Sequence, residues 1–216
     1  MTEQLKVAVT DYIEDNLDWE AEELAKRGIA FETHQLKFKP EDEVAAKVGD
    51  ADVVVVNMVK MTESLLARLD RCNLLIRHGI GYDNVDVDAC TRLGIQFAYQ
   101  PDYCKADVAE HAIALILACG RKVVWGRKTL DKSSANGQWD FSELFPVYRL
   151  EGKTLGIIGI GRVGREVARI ARGFGMHTLA YDPYLAEDTI ADRINRGLID
   201  GSLTEAVARY RKAMDL

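Results

Sequence analysis

Over the first hundred residues, short apolar runs alternate with longer amphipathic stretches. Five of the runs, LKVAVT (5–10), FETHQLK (31–37), DVVVVNM (52–58), NLLIRHG (73–79) and IQFAYQ (95–100), are rich in β-branched and aromatic residues and read as strands. Between them lie four stretches of helical texture. LDWEAEELAKRG closes on Gly28, PEDEVAAKVG closes on Gly49, TESLLARLD opens on Thr62, and NVDVDACTRLG fills the last interval. Both glycines stand where a helix C-cap favours positive φ, and Thr62 stands where an N-cap side chain is wanted. Such alternation predicts a parallel sheet covered on both faces. The four consecutive valines at 53–56 suit a strand buried on both sides.

From Lys105 to Thr129 the texture changes. ADVAEHAIALILACGRKVVWGRKTL reads as one long helix, apolar nearly all round up to Cys119, which belongs in a core or a subunit interface. DKSSANGQWDF (131–141) reads as a polar loop. The domain boundary is expected just before this helix, giving domains 1–103 and 104–216. No internal repeat or low-complexity segment interrupts either.

The second domain carries the most informative pattern. KTLGIIGIG is an apolar strand running into glycines, RVGREVARIARGFG is an amphipathic helix ending at Gly173 or Gly175, and HTLAYD is a second strand. In this context each glycine of G-x-G-x-x-G has a physical task. Gly159 allows the tight turn, Gly161 lets the backbone approach a pyrophosphate, and Gly164 permits close packing of helix on strand. The helix N-terminus, with orphan N–H groups and its positive dipole end, then binds phosphate, and Arg162 and Val163 occupy the positions whose amides face the ligand. Asp182 ends the second strand, where its carboxylate can accept bonds from ribose hydroxyls. A 2′-phosphate would be repelled there, and no arginine follows in DPYLAED, so NAD is favoured over NADP. A glycine-rich turn with no ligand is the alternative.

Composition and charge narrow the class. With 48% apolar and 29% charged residues among 216, the chain has the balance of a soluble globular protein with a sizeable core. Its net charge of −6 lacks the basic face that nucleic-acid binding needs. No apolar run approaches the ~20 residues of a membrane helix. MTEQLKVAVTDY lacks the basic start and apolar core of a signal peptide, so a cytoplasmic location is expected. Cys72, Cys90, Cys104 and Cys119 are too scattered for a zinc site or disulfide framework and read as small buried hydrophobes. The histidines show no metal-pairing spacing.

Taken together, RHGIGYDNVD (77–86), PDYCKADVAEHAIALILACGRK (101–122), YRLEGKTLGIIGIGRVGREVA (148–168) and LAYDP (179–183) resemble the D-isomer-specific 2-hydroxyacid dehydrogenases, in the branch of phosphoglycerate-type dehydrogenases and C-terminal-binding-protein corepressors. The resemblance covers nearly all of residues 1 to 185. It implies an α/β chain of two Rossmann-like, doubly wound parallel-sheet domains: a flavodoxin-like substrate domain, then an NAD-binding domain, incomplete in this chain. It further implies a homodimer through the 105–129 helix. By position, Gly79, Ile80 and Gly81 resemble the loop whose amides grip the substrate carboxylate, and Val108 matches a position that approaches the cofactor. Read by itself, HGIGYDN could be no more than a tight connection, with Asp83 and Asn84 as turn formers. The family does not use His78 as its acid; it and His111 read as structural.

A full dinucleotide fold has six strands, whereas Lys153 to Leu216 suffices for about two βα units at ~30 residues each. The family's catalytic arginine, histidine and orienting acid lie further on, so no catalytic residue is assigned. RINRGLIDGSLTEAV resembles the family's later arginine-glycine stretch, which would make Arg196 the catalytic arginine after a large internal deletion. The alternative is a solvent-facing helix end capped by Gly197. SLTEAVARYRKA reads as a helix capped by Ser202, with Glu205 at the capping-box position. The expected function is hydride transfer between NAD and a small D-2-hydroxy acid or 2-keto acid, in a chain lacking the acid–base machinery. A non-catalytic NAD-sensing or partner-binding protein is the alternative.

Overall fold

The computed structural model describes residues 4–186, 188–190, 197 and 199–202. It divides into two compact units, Met1–Tyr103 and Cys104–Leu216. The first contains five strands, β1 (Lys6–Val9), β2 (Ala30–Thr33), β3 (Val53–Val56), β4 (Leu74–Arg77) and β5 (Gln96–Tyr99). All neighbours pair in parallel, in the order β2-β1-β3-β4-β5. That is the flavodoxin-like doubly wound order. The connecting helices are α1 (Asp18–Ala25), α2 (Glu41–Val48), α3 (Glu63–Leu66) and α4 (Val87–Leu93).

The strands are shorter than the apolar runs because only their central residues carry ladder bonds. Central β3 buries Val54 and Val56 completely, while Val53 and Val55 stay half-buried. The two-sided burial expected of the valine run is therefore complete on one face only. Val44, Val48, Leu65, Leu66, Leu75 and Cys90 close the core around it. Thr62 caps α3 through its hydroxyl, which accepts from the Leu65 amide at 3.3 Å. Gly28 has the expected positive φ of 69°. Gly49 does not: its φ is −64°, and its small size instead admits the Arg68 carbonyl, 3.1 Å from where a Cβ would sit.

In the second unit the expected long helix is two. α5 spans Lys105–Gly120 and α6 spans Val123–Ala135, with Lys122 between them in the left-handed region at φ 52°. The break is held from the following segment: Lys122 Nζ donates to the Leu144 carbonyl at 2.8 Å and Arg121 to that of Tyr148 at 3.1 Å. Helix thus continues to Ala135, through the front of the expected polar loop. A second parallel sheet contains β6 (Thr154–Ile158), β7 (His177–Tyr181) and the two-residue β8 (Gly201–Ser202), in the order β6-β7-β8. Helix α7 (Arg162–Gly173) joins β6 to β7 and buries Val167, Ala168 and Ala171. Ser202, expected as a helix cap, pairs with Ala180 in the ladder. Arg196, Glu205 and the helix expected around them lie outside the described residues.

Cys72 and Cys90 are buried as expected, but Cys104 is half-buried and Cys119 exposed, because α5 buries only Ala109 and Ile113. Burial pushes the Cys72 thiol up to about 11. Among the described residues, no helix is long and apolar enough to cross a membrane.

Asp52 fixes the start of β3 against β1. Its carboxylate accepts from the Lys6 amide at 2.8 Å and pairs with Arg71 at 3.0 Å, and these two contacts hold its carboxyl below the usual range. A depressed folded-state value contributes stability above the unfolded-state value near ~3.9, which is lost as pH falls through the folded one. Asp52→Asn should therefore lower urea stability by about 1–3 kcal/mol at neutral pH. The deficit should close on acidification below about pH 4, which urea midpoints measured from pH 7 to pH 3 will check.

Candidate functional site

In open α/β sheets ligands bind beyond the carboxyl ends of the strands. In the second unit that end is the turn from β6 into α7. Gly159 takes φ 87°, which only glycine adopts without strain, and its amide donates to the Tyr181 carbonyl at 2.7 Å. Gly161 is the N-cap, and no side chain caps the helix. The first-turn amides of Arg162, Val163 and Gly164 thus begin a helix with no acidic residue in its first turn. A Cβ at Gly161 would meet nothing within 4 Å, so open space lies where a diphosphate would approach. A Cβ at Gly164, by contrast, would overlap the Gly159 carbonyl oxygen. One glycine keeps a surface open and the other keeps the helix close to the strand.

Asp182 directly follows β7, and its position was legible from spacing; its bonding was not. Its Oδ2 accepts from the Ile160 amide at 2.9 Å, and its Oδ1 accepts from the Tyr184 amide at 3.0 Å. The acid is thereby oriented by the turn itself, while each oxygen keeps a lone-pair direction for a hydroxyl. Val108 lies on the first turns of α5, which packs against α7, and is 44% exposed. These features fit a dinucleotide: an uncapped helix start, an unfilled approach at Gly161 and an oriented acid at ribose spacing.

In the first unit the loop after β4 takes a form that the sequence only partly indicates. The Gly79 amide donates to the Arg77 carbonyl at 2.9 Å, so it is already committed within the loop. Gly79 also has a spatial part, since a Cβ there would overlap the Arg77 guanidinium. The Ile80 and Gly81 amides have no hydrogen-bond partner among the described residues, and Gly81 is exposed.

Sequence reading missed Arg77 and Asn84. Arg77 Nη1 reaches the His78 carbonyl and, at 3.3 Å, Asn57 Oδ1. Its Nε is buried without a partner, and no carboxylate pairs with it among the described residues. An unneutralised guanidinium therefore lies against the loop. Asn84, read as a turn former, donates to the Asn57 and Val59 carbonyls at 3.1 and 2.8 Å, tying the β4 loop to the β3 loop. Buried Asp11 holds that β3 loop from below, accepting from the Met58 amide at 2.8 Å and, more weakly, from those of Asn57 and Val59. The signal available was a cation closing the apolar run of β4 and an amide in the loop after it, but nothing in one sequence says which carbonyls they meet.

His78 is partly exposed, with Nε2 3.8 Å from Glu14 Oε1, and His111 is exposed on α5. An open cleft of about 550 Å³ lies at the opposite, amino end of this sheet, between Asp52, Arg71, Cys72 and Gly94. Asp52 occupies its arginine, and it is not where α/β chemistry is performed. No group of three or more metal-ligating side chains occurs among the described residues.

Residues 7–213 match the family model of the D-isomer specific 2-hydroxyacid dehydrogenase catalytic domain. The chain is 34% identical to the D-3-phosphoglycerate dehydrogenase of Methanocaldococcus jannaschii, over 91% of this chain and 35% of that protein. It is 36% identical to the glyoxylate reductase of Pyrococcus furiosus, over 66% of this chain and 43% of that protein. Among solved structures it superimposes on the D-lactate dehydrogenase of Aquifex aeolicus complexed with NAD and lactic acid, with a TM-score of 0.69 at 30% identity. That superposition covers 84% of this chain and 53% of the other. The chain thus spans between about a third and about half of these relatives' length.

The geometry separates two effects that glycine substitution usually mixes. Gly164→Ala should cost about 1–3 kcal/mol of stability, because the β6–α7 contact must open. Gly161→Ala should cost under about 1 kcal/mol, the difference between glycine and alanine at an N-cap. Thermal and urea unfolding of the two variants will show whether the order holds.

Proposed function

The chain belongs to the D-isomer specific 2-hydroxyacid dehydrogenase family, and from that premise we propose that its second unit binds NAD and its first binds the carboxylate of a small D-2-hydroxy acid or 2-keto acid. The observation that carries the reading is the β6–α7 turn, uncapped, open at Gly161 and tied to an acid at ribose spacing. Gly159 and Gly164 shape it, the amides around Gly161, Arg162 and Val163 take the diphosphate, Asp182 accepts from the adenosine ribose, and Val108 approaches from α5. NAD, when bound, supplies the nicotinamide that exchanges a hydride with C2 of the hydroxy acid.

What this chain's own residues do is bind, orient and discriminate. Asp182 would place its negative charge against a 2′-phosphate, which favours NAD over NADP. The Ile80 and Gly81 amides, shaped by Gly79, grip the carboxylate, and the Arg77 guanidinium makes their surroundings positive. Asn84 and Asp11 keep this loop and its neighbour in register, so the amides need not reorganise when the anion arrives. The aligned amides and one cation favour a small monoanion. The whole protein we take to be an NAD-dependent oxidoreductase of the cytoplasm.

The same family premise leads us to propose a homodimer through α5 and the segment after it. Leu115, Val123, Val124, Trp125, Trp139 and Phe145 are all more than half exposed, an apolar surface that a second copy would cover.

Titration calorimetry of the purified chain with NAD and NADH tests the reading. Saturable binding is expected, and Gly161→Val should weaken it by at least about tenfold, the equivalent of one displaced charge-assisted hydrogen bond. Unfolding midpoints of the variant should stay close to the wild type, since its Cβ meets open space. Absence of saturable binding by the wild type would overturn the assignment.

A further inference from the structure

The loop after β4 is clamped at both ends. The Gly79 carbonyl accepts from the Gln100 amide at 3.1 Å, and the Asn84 carbonyl accepts from the Met61 amide at 2.8 Å. Between these clamps the backbone is held much less. Among the described residues, Ile80 to Asp83 take part in one hydrogen bond, the local one from the Val85 amide to the Tyr82 carbonyl at 2.9 Å. β5 is the edge of the sheet, so no further strand flanks the loop on that side. The two amides proposed to grip a carboxylate, those of Ile80 and Gly81, therefore lie in a span whose orientation hydrogen bonds alone do not fix.

An aromatic ring crosses from that span to the sheet. Tyr82 meets Phe97 edge-on, with ring centres 5.5 Å apart and planes at 65°, and meets Tyr99 at 5.1 Å and 59°. Such separations and tilts are those of attractive aromatic pairs. Phe97 and Tyr99 project from one face of β5, their rings 6.2 Å apart and within 7° of parallel. Phe97 packs against the core of the unit, which makes the pair a fixed support. Tyr99 stands in register with Arg77, so the support lies on the strand beside the cation of the loop. The Tyr82 hydroxyl makes no hydrogen bond among the described residues, and the residue remains 43% exposed. Its attachment is ring to ring.

We infer that Tyr82 is a positioning residue. Its ring, seated on Phe97 and Tyr99, fixes the Ile80 and Gly81 amides in the orientation that receives the substrate carboxylate, without itself touching the substrate. The inference rests on the proposed carboxylate site and adds what holds that site in shape. A loop freed from its support presents both amides together for only part of the time, and apparent affinity falls by that fraction.

The test uses the purified chain, isotope-labelled in nitrogen, with pyruvate as the probe and amide resonances as the readout. In the wild type, pyruvate should shift the Ile80 and Gly81 amides saturably, and their order parameters should be close to about 0.85. Tyr82→Ala should lower those order parameters below about 0.6 and weaken pyruvate by about tenfold. Tyr82→Phe should keep both at wild-type values, since the contact is made by the ring. Tyr99→Ala removes a supporting ring from outside the loop and should weaken pyruvate by about threefold. Unchanged resonances for β4 and unchanged NAD affinity will show that each variant is folded. If the wild type binds pyruvate and Tyr82→Ala binds it equally well, the support is wrong and the carboxylate site stands, whether or not the loop has loosened. Failure of Tyr82→Phe to match the wild type would overturn the ring contact as the cause. If pyruvate leaves the wild-type Ile80 and Gly81 amides unmoved, the carboxylate site falls and the inference with it.

Discussion

The hydrogen bond from the Ile160 amide to Asp182 Oδ2 joins the end of β7 to the turn that opens α7. It adds to the bond from the Gly159 amide to the Tyr181 carbonyl, so that two successive amides of the turn are tied to the end of β7. Gly159 at positive φ gives the chain its direction change, and Gly164 lets α7 sit directly on that change. The carboxylate then holds the residue between them. The start of the helix, which no side chain caps, is therefore shaped by the fold itself, and this would reduce the ordering required of an anion binding at the proposed site.

The same device recurs at other strand ends. Asp11 follows β1 and gathers the amides of the loop after β3; Asp52 precedes β3 and receives the Lys6 amide of β1; Asp200 precedes β8 and receives the Thr178 amide of β7 at 2.6 Å. A parallel sheet leaves unpaired amides wherever neighbouring strands start or stop at different heights, and buried amides must find acceptors. A short acid supplies two oxygens with several acceptor directions, which suits it to that place. In both units the ends of the sheet are thus held by carboxylates, and in the second unit one of these carboxylates also lies where a ligand would be.

The architecture was readable from sequence because a parallel sheet imposes a strong rhythm: short buried strand, amphipathic helix, short buried strand. The five strands and four helices of the first unit follow that rhythm, and so do β6, α7 and β7. What escaped is non-local. The break between α5 and α6 has no proline or glycine pair to mark it beyond Gly120, and depends on the Leu144 and Tyr148 carbonyls meeting Lys122 and Arg121. β8 has two residues, one of them glycine, and exists because β7 offers an edge. Gly49 has the position of a cap and the φ of a helix, its size being required by the Ala45 carbonyl of its own helix and the Arg68 carbonyl just past α3. At the candidate site, the spacing of Gly159, Gly161, Gly164 and Asp182 was visible in one dimension. The Arg77 guanidinium beside Gly79 and the division of Asp182 between two amides appear only in three.

That division has a consequence for cofactor choice. A 2′-phosphate beside an ionised carboxylate is disfavoured by like charge, so replacing Asp182 with a neutral residue would remove the repulsion. A replacement without a side-chain oxygen would also remove the bond from the Ile160 amide to residue 182, beside a fully buried side chain, and the bond that holds the Tyr184 amide. Loss of a buried hydrogen bond costs about 1–3 kcal/mol, as much as the selectivity such an exchange would aim to gain. In the proposed site, selectivity for the ribose and the geometry of the phosphate turn would thus both depend on one side chain. A change of cofactor would therefore start from Asp182→Asn, which removes the charge and keeps one oxygen for the Ile160 amide, and would then add a cation for the phosphate.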